Sequence, residues 1–141
     1  MARTPRPTGV IVLLDADDDC AVTLARQLRD HAAATHRHVP LFAVAAVREF
    51  EAWFLAGARG LAGRAGLPTD LAPPPHPETI RGAKEWLSSR MPRGTTYQET
   101  AHQPSFAQRF DLDAARSGAP SFDKFCRDFE SLLTDRQAPR A

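Results

Sequence analysis

The sequence predicts an α/β fold: a βαβ core with a small parallel sheet, followed by a helical C-terminal half. Two continuous apolar runs, Gly9–Leu14 (GVIVLL) and Val39–Val47 (VPLFAVAAV), have the composition of strands buried on both faces. A segment with helical periodicity lies between them, and strand, helix, strand in this order is a βαβ unit whose strands run parallel. Beyond the second run, large apolar residues recur only at helical spacing.

The first run stops at Asp15-Ala16-Asp17-Asp18-Asp19. A helix is predicted from about Asp18 to Ala33, with Val22, Leu24, Ala25 and Leu28 facing inward and Arg26, Arg29 and Asp30 outward; the aspartates suit its N-terminus as caps. Thr35-His36-Arg37-His38 is a polar turn, and Pro40 is tolerable near the start of the second strand. A helix over Glu49–Leu61 follows, its apolar stripe being Phe50, Trp53, Phe54 and Leu61. Gly63–Pro77 is rich in proline and glycine and reads as a surface loop. Helices are predicted from Pro77 to Ser89, from Gln98 to Phe110 and from Ser121 to Leu133, with Asp111–Pro120 as a connection. The chain is one domain: a core over residues 10–62, a loop at 63–77, a helical region at 78–133, and flexible tails at 1–8 and 134–141.

Composition excludes several classes. A formal net charge of +1 gives no general attraction to nucleic acid or anionic membranes. The cations are arginine apart from Lys84 and Lys124; this suits phosphate contacts, and equally a GC-rich genome. Cys20 and Cys126 make neither a disulfide framework nor a zinc site, so a reducing cytoplasm is the expected setting. Val10–Leu14 is too short to span a bilayer, and Met1–Gly9 has no apolar segment of a signal peptide behind it.

The acids carry the chemistry. In extended chain Asp15 and Asp17 point the same way, about 7 Å apart, and could share a hard cation. Ligands of open α/β sheets bind just beyond the carboxyl ends of strands, where these residues fall. One helix cap needs one aspartate; four acids in five residues repel each other unless a cation is near. Glu49 and Glu51 follow the second strand, so they emerge at the same sheet edge, set among Phe50, Trp53 and Phe54. A partly buried carboxylate there needs a partner, a cation or a proton. The plainer alternative leaves Asp15–Asp19 as a cap with surface charge, Glu49 at a helix start and Glu51 paired with a surface arginine. Lys84 is read as an exposed helical lysine, with a phosphate contact as the alternative.

Asp15-Ala16-Asp17-Asp18-Asp19-Cys20 and Arg48-Glu49-Phe50-Glu51-Ala52-Trp53-Phe54-Leu55-Ala56 resemble the domain-of-unknown-function family 4276. Ala83-Lys84-Glu85-Trp86-Leu87, Tyr97-Gln98-Glu99-Thr100-Ala101-His102-Gln103 and Pro120-Ser121-Phe122 are similar to it in the same order, over about Val10 to Leu133. That family resembles TOPRIM domains, the Mg²⁺-binding α/β module of topoisomerases, primases and OLD-type nucleases. The resemblance therefore implies a TOPRIM/Rossmann-like core and a Mg²⁺- or Mn²⁺-dependent phosphodiester activity of nuclease type. It implies Asp15, Asp17, Asp19 and Glu51 at the metal, and Asp15, Asp17, Glu51 and Glu49 in catalysis. Nucleic acid and an ATPase of phage-defence or DNA-repair systems are the implied partners. A TOPRIM-like chain usually opens with a strand ending in Glu-Gly; the nine residues before the first strand here hold no acid, so the core is expected to be truncated. The other function expected on that ground is a non-catalytic partner subunit of an ATPase, or an inactive family member. The uncovered strand edge predicts self-association, or docking on a longer protein.

Overall fold

The structure, a computed structural model, describes residues 9–35 and 39–135. Its elements are β1 (Val10–Asp15), α1 (Ala21–Thr35), β2 (Leu41–Ala46), α2 (Glu51–Ala56), α3 (Ala83–Ser88), α4 (Glu99–Ala107), α5 (Leu112–Gly118) and α6 (Pro120–Asp135). Short 3₁₀ turns at Ala58–Leu61, Arg64–Gly66 and Pro77–Thr79 interrupt the connections. This is the expected small parallel βαβ core with a helical second half. The tails expected at 1–8 and most of 134–141 lie outside the described residues, as does much of the polar turn; Thr134 and Asp135 belong to α6. No helix among the described residues is long and apolar enough to cross a membrane.

β1 and β2 pair in parallel from Val10↔Leu41 to Asp15↔Ala46. Alternation sends Ala43 and Ala45 to one face, where they pack with Ala25, Leu24 and Leu28 of α1. Val44 and Ala46 face the other way, against Trp53 of α2, Ala115 of α5 and Phe122 of α6. β2 is the better covered strand, buried from Ala43 to Ala46. β1 was expected to be buried on both faces, but Val10 and Leu13 remain 37% and 36% exposed. Among the described residues β1 has a neighbour on one side only.

The centre of the molecule is α2, where every residue from Glu51 to Ala56 is buried. Phe54 and Leu55 turn toward α3, Tyr97 and Phe106, while Trp53 and Ala56 turn toward β2, α5 and α6. Fully burying Trp53 and Phe54 contributes on the order of 2–3 kcal/mol each. Trp53 Nε1 donates to Ser121 Oγ at 2.8 Å, and that hydroxyl donates to the Glu78 carboxylate, tying α2, α6 and the Pro77 turn together. The helix predicted to run to Leu61 breaks at Gly57. There Asp111 N–H donates to the Gly57 carbonyl at 2.9 Å, and a Cβ at Gly60 would lie 2.1 Å from the Arg109 carbonyl oxygen. Both glycines admit the backbone of residues 109–111 against α2.

Other boundaries moved for local reasons. α1 begins at Ala21, after a turn in which Asp19 N–H bonds Ala16 O. Its Val22, expected to face inward, is 68% exposed. Asp111–Pro120, expected as a connection, contains α5, capped by the Asp111 carboxylate accepting from Ala114 N–H at 3.0 Å. The single helix expected over Pro77–Ser89 is a 3₁₀ turn followed by α3, with Gly82 at φ +73° between them.

Candidate functional site

The acids meet beyond the carboxyl ends of β1 and β2, as the βαβ topology dictates. Asp15 closes β1, and its Oδ1 accepts the Phe50 N–H at 2.7 Å. The carboxylate thus ties the end of β1 to the start of α2, not to α1 as a cap would. Glu49 Oε2 accepts Ala83 N–H at 2.6 Å at the start of α3, and its Oε1 accepts from Lys84 Nζ at 3.3 Å. Glu51 is 1% exposed. Its Oε1 accepts from Tyr97 Oη at 3.1 Å and Gln103 Nε2 at 3.3 Å, and its Oε2 lies 3.6 Å from Lys84 Nζ.

Lys84 is therefore the cation of this site. Its ammonium lies within 4 Å of Glu49, Glu51 and Glu99, the last at 2.9 Å. The exposed helical lysine expected from sequence is instead 31% exposed and turned into the acids. Glu51, expected to find a surface arginine on the plainer reading, pairs with Lys84, Tyr97 and Gln103. Sequence reasoning left Tyr97, Glu99 and Gln103 out of the site, because their places depend on how α4 folds back over α2.

Electrostatics follow from this packing. Burial pushes the Asp15 carboxyl above its ordinary value; the Phe50 N–H and the Lys84 charge oppose the rise, and Asp17 and Glu49 add to it. Burial also raises Glu51, against the opposing pull of Lys84 and Tyr97. Burial alone would lower Lys84, but the hydrogen bond to Glu99 and the charges of Glu51 and Glu49 outweigh it and hold the ammonium above the lysine range. Tyr97 is raised by burial and by the neighbouring Glu51 carboxylate, so it stays a donor.

The aspartate run divides. Asp17 adopts φ +50°, so the extended relation expected between Asp15 and Asp17 does not hold: the strand ends at Asp15 and the chain turns. Asp17 N–H bonds the carbonyl of Arg48, itself at φ +63°. Two non-glycine residues in left-handed conformation at one sheet edge store strain of about 1 kcal/mol or more each. Asp18 is paired with Arg48 at 3.1 Å and Arg81 at 2.7 Å. Asp17, Asp18, Arg48 and Glu49 line a shallow depression of about 150 Å³. Asp19 lies in a separate depression beside Cys20 and Thr23.

For a metal ion, the donor chemistry fits: Asp15, Asp17 and Glu51 offer hard carboxylate oxygens of the kind Mg²⁺ takes. Among the described residues no three His, Cys, Asp or Glu side chains form a ready-made cage. Mg²⁺ commonly needs only one or two carboxylates and keeps its waters, so a cage is not required.

A search of curated proteins and a search of solved structures each found no match. The family model for a domain of unknown function, DUF4276, matches residues 2–130. A match of that extent, in a chain of 141 residues, settles the family: the chain belongs to the DUF4276 family.

Proposed function

We propose that this chain is a TOPRIM-like, Mg²⁺- or Mn²⁺-dependent phosphodiester module of nuclease type, acting with an ATPase in phage defence or DNA repair. One observation carries the reading: Glu49, the buried Glu51 and Glu99 gather round a single ammonium beyond the carboxyl ends of parallel strands, with Asp15 near enough to feel its charge. Three carboxylates on one lysine, with Asp15 beside them, leave excess negative charge in a partly dry setting, which favours a further cation. Asp15, Asp17 and Glu51 would hold the ion; Asp19 stands apart from them, and the proposal does not rest on it. When bound, the ion supplies positive charge to a phosphate oxygen and acidity to a coordinated water. Glu51, its pKa raised by burial, is suited to accept a proton, and Lys84 is placed to meet a phosphate at the rim. The acid that TOPRIM-like sites carry on an earlier strand would come from outside residues 1–9, which contain none. A cytoplasmic setting and self-association through the outer edge of β1, where Val10 and Leu13 are exposed, belong to the same proposal.

The test is nicking of supercoiled DNA, and cleavage of RNA, with millimolar Mg²⁺ or Mn²⁺. Asp15→Asn keeps an acceptor for Phe50 N–H and should abolish cleavage. Equal cleavage by wild type and variant sinks the proposal. A second reading is favoured by Lys84 itself: the acids already have a counter-ion, as in a non-catalytic ATPase partner. Co-purification with an ATPase, together with no metal response, selects that reading.

A further inference from the structure

We propose that the outer edge of β2 is a docking groove for an extended, acidic peptide segment of a partner protein, added as a third strand. The edge is open. Val10 N–H donates to Pro40 O at 2.8 Å and Ala16 N–H to Ala46 O at 2.9 Å. With the register Val12↔Ala43, this turns the peptide groups of Phe42 and Val44 toward β1 and those of Ala43 and Ala45 outward. Among the described residues the outward N–H groups of Ala43 and Ala45 meet no acceptor, although both residues are 4% exposed. Buried backbone donors are nearly always paired, so in the free protein these two turn to water in the groove, which an added strand would replace with ladder hydrogen bonds.

Space for it is present. Ala43, Ala45 and Val47 line a cavity of about 430 Å³ between α1 and α6. On the α1 side the lining runs from Ala21 to Arg29, about 12 Å of helix, the length of three to four extended residues. Small side chains at Ala21 and Ala25 leave room beside the strand. Lys124 Nζ lies 3.5 Å from the Ala43 carbonyl oxygen, a donor where an added strand would bring its own N–H.

Charge selects the occupant. Arg26, Arg29, Lys124 and Arg127 line the groove, and its one acid, Glu78, is already committed to Ser121. Lys124 and Arg127 share carboxylates of their own helix, and Arg29 has Asp30 at 4.0 Å. Arg26 has no ion-pair partner among the described residues. The two ends of this chain carry Arg3, Arg6, Arg136 and Arg140 and, over residues 1–8 and 136–141, no acid, so they do not complement the groove. Recognition by strand addition combines main-chain hydrogen bonds with charge at the rim. None of the acids or Lys84 at the strand ends lines this groove, so the inference is independent of the proposed activity.

The probe is a fluorescein-labelled octapeptide alternating glutamate with valine, titrated into the full chain by anisotropy. Two further versions are methylated at one or the other alternate set of backbone amides. The expected result is saturable binding, lost on methylating one set and kept on methylating the other, because only one set faces β2. Hydrogen exchange at the Ala43 and Ala45 amides should slow on binding, and Arg26→Glu should weaken it about tenfold. Three results overturn the proposal: no binding at millimolar peptide, equal binding of both methylated versions or of polyglutamate, or Ala43 and Ala45 already protected by self-association.

Discussion

Replacing Lys84 with methionine keeps the stem and removes the one ammonium that Glu49, Glu51 and Glu99 share. Glu51, 1% exposed, is then a buried carboxylate with Tyr97 and Gln103 as its remaining side-chain donors. Breaking a buried pair costs about 3–5 kcal/mol; with Lys84 31% exposed, roughly 2–4 kcal/mol applies at pH 8. The pH dependence has a definite sign. Glu51 is already raised above its ordinary value of 4.5, and Lys84 is one of the influences holding it down, so the variant raises it further. An acid whose folded pKa is raised binds more protons folded than unfolded. Stability is therefore greatest below the ordinary value and falls as pH rises through the raised one. Lys84 stays charged in both states throughout this window, because its own pKa is raised, not lowered. Urea denaturation of wild type and Lys84→Met at pH 4.5 and pH 8 should show the large deficit at pH 8, shrinking to about 1 kcal/mol or less at pH 4.5. Millimolar Mg²⁺ should recover part of the deficit at pH 8 if a divalent ion can stand in for the ammonium. An equal deficit at both pH values refutes the network argument. A pH-dependent deficit that Mg²⁺ leaves untouched refutes only the metal.

Asp17→Asn tests the metal from the other side: Asn tolerates the left-handed φ of +50°, so the backbone is unaffected, and removing a charge that raises Asp15 should stabilise the metal-free protein slightly. The same variant should show a smaller rise in melting temperature with Mg²⁺ than wild type; an unchanged rise takes Asp17 out of the site. Gly60→Ala places a Cβ 2.1 Å from the Arg109 carbonyl oxygen and should cost about 2 kcal/mol or more, read from the urea midpoint. Gly94→Ala, with nothing within 4 Å but φ +84°, should cost only about 1 kcal/mol. Iodoacetamide at neutral pH should alkylate Cys20 before Cys126. Cys20 is exposed and its thiol is lowered by the neighbouring donors of Thr23 and Val22, whereas burial raises Cys126.

The strands and their parallel pairing were legible because Val10–Leu14 and Leu41–Ala46 are unbroken apolar runs, a signal that survives without knowledge of neighbours. α5 was not, because its one buried residue is Ala115, and the Gly118-Ala119-Pro120 that follows looks like a break. The relation between Asp15 and Asp17 was misread because strand geometry was carried one residue too far. Ala16 N–H still bonds Ala46 O, but Asp17 has already turned. Asp15, Glu49 and Glu51 could be grouped from topology alone, since two parallel strands must deliver their following residues to one edge. Lys84 could not, as its partners lie far along the chain and no local pattern points to them. The one available signal was chemical: acids set among Phe50, Trp53 and Phe54 require a cation, and one of the chain's two lysines is Lys84.

That requirement shapes how the two readings of the site relate. An ammonium and a hydrated Mg²⁺ answer the same demand, excess carboxylate charge in a partly dry pocket, so they compete for oxygens instead of adding to each other. Asp15 and Glu49 each give one oxygen to a backbone N–H, to Phe50 and Ala83, which fixes their carboxylates whichever cation is present. Glu51 is fixed by Tyr97 and Gln103 through one oxygen, leaving Oε2 toward Lys84. The acids are thus held by contacts that do not involve the lysine. Lys84, on an unbranched stem with Glu99 at the rim 2.9 Å away, is the member with freedom to move. A divalent ion arriving at Asp15 and Glu51 would displace the ammonium outward toward Glu99 without disturbing the carboxylates. The same contacts tie β1, α2 and α3 together, so they serve the fold whichever cation sits among the acids.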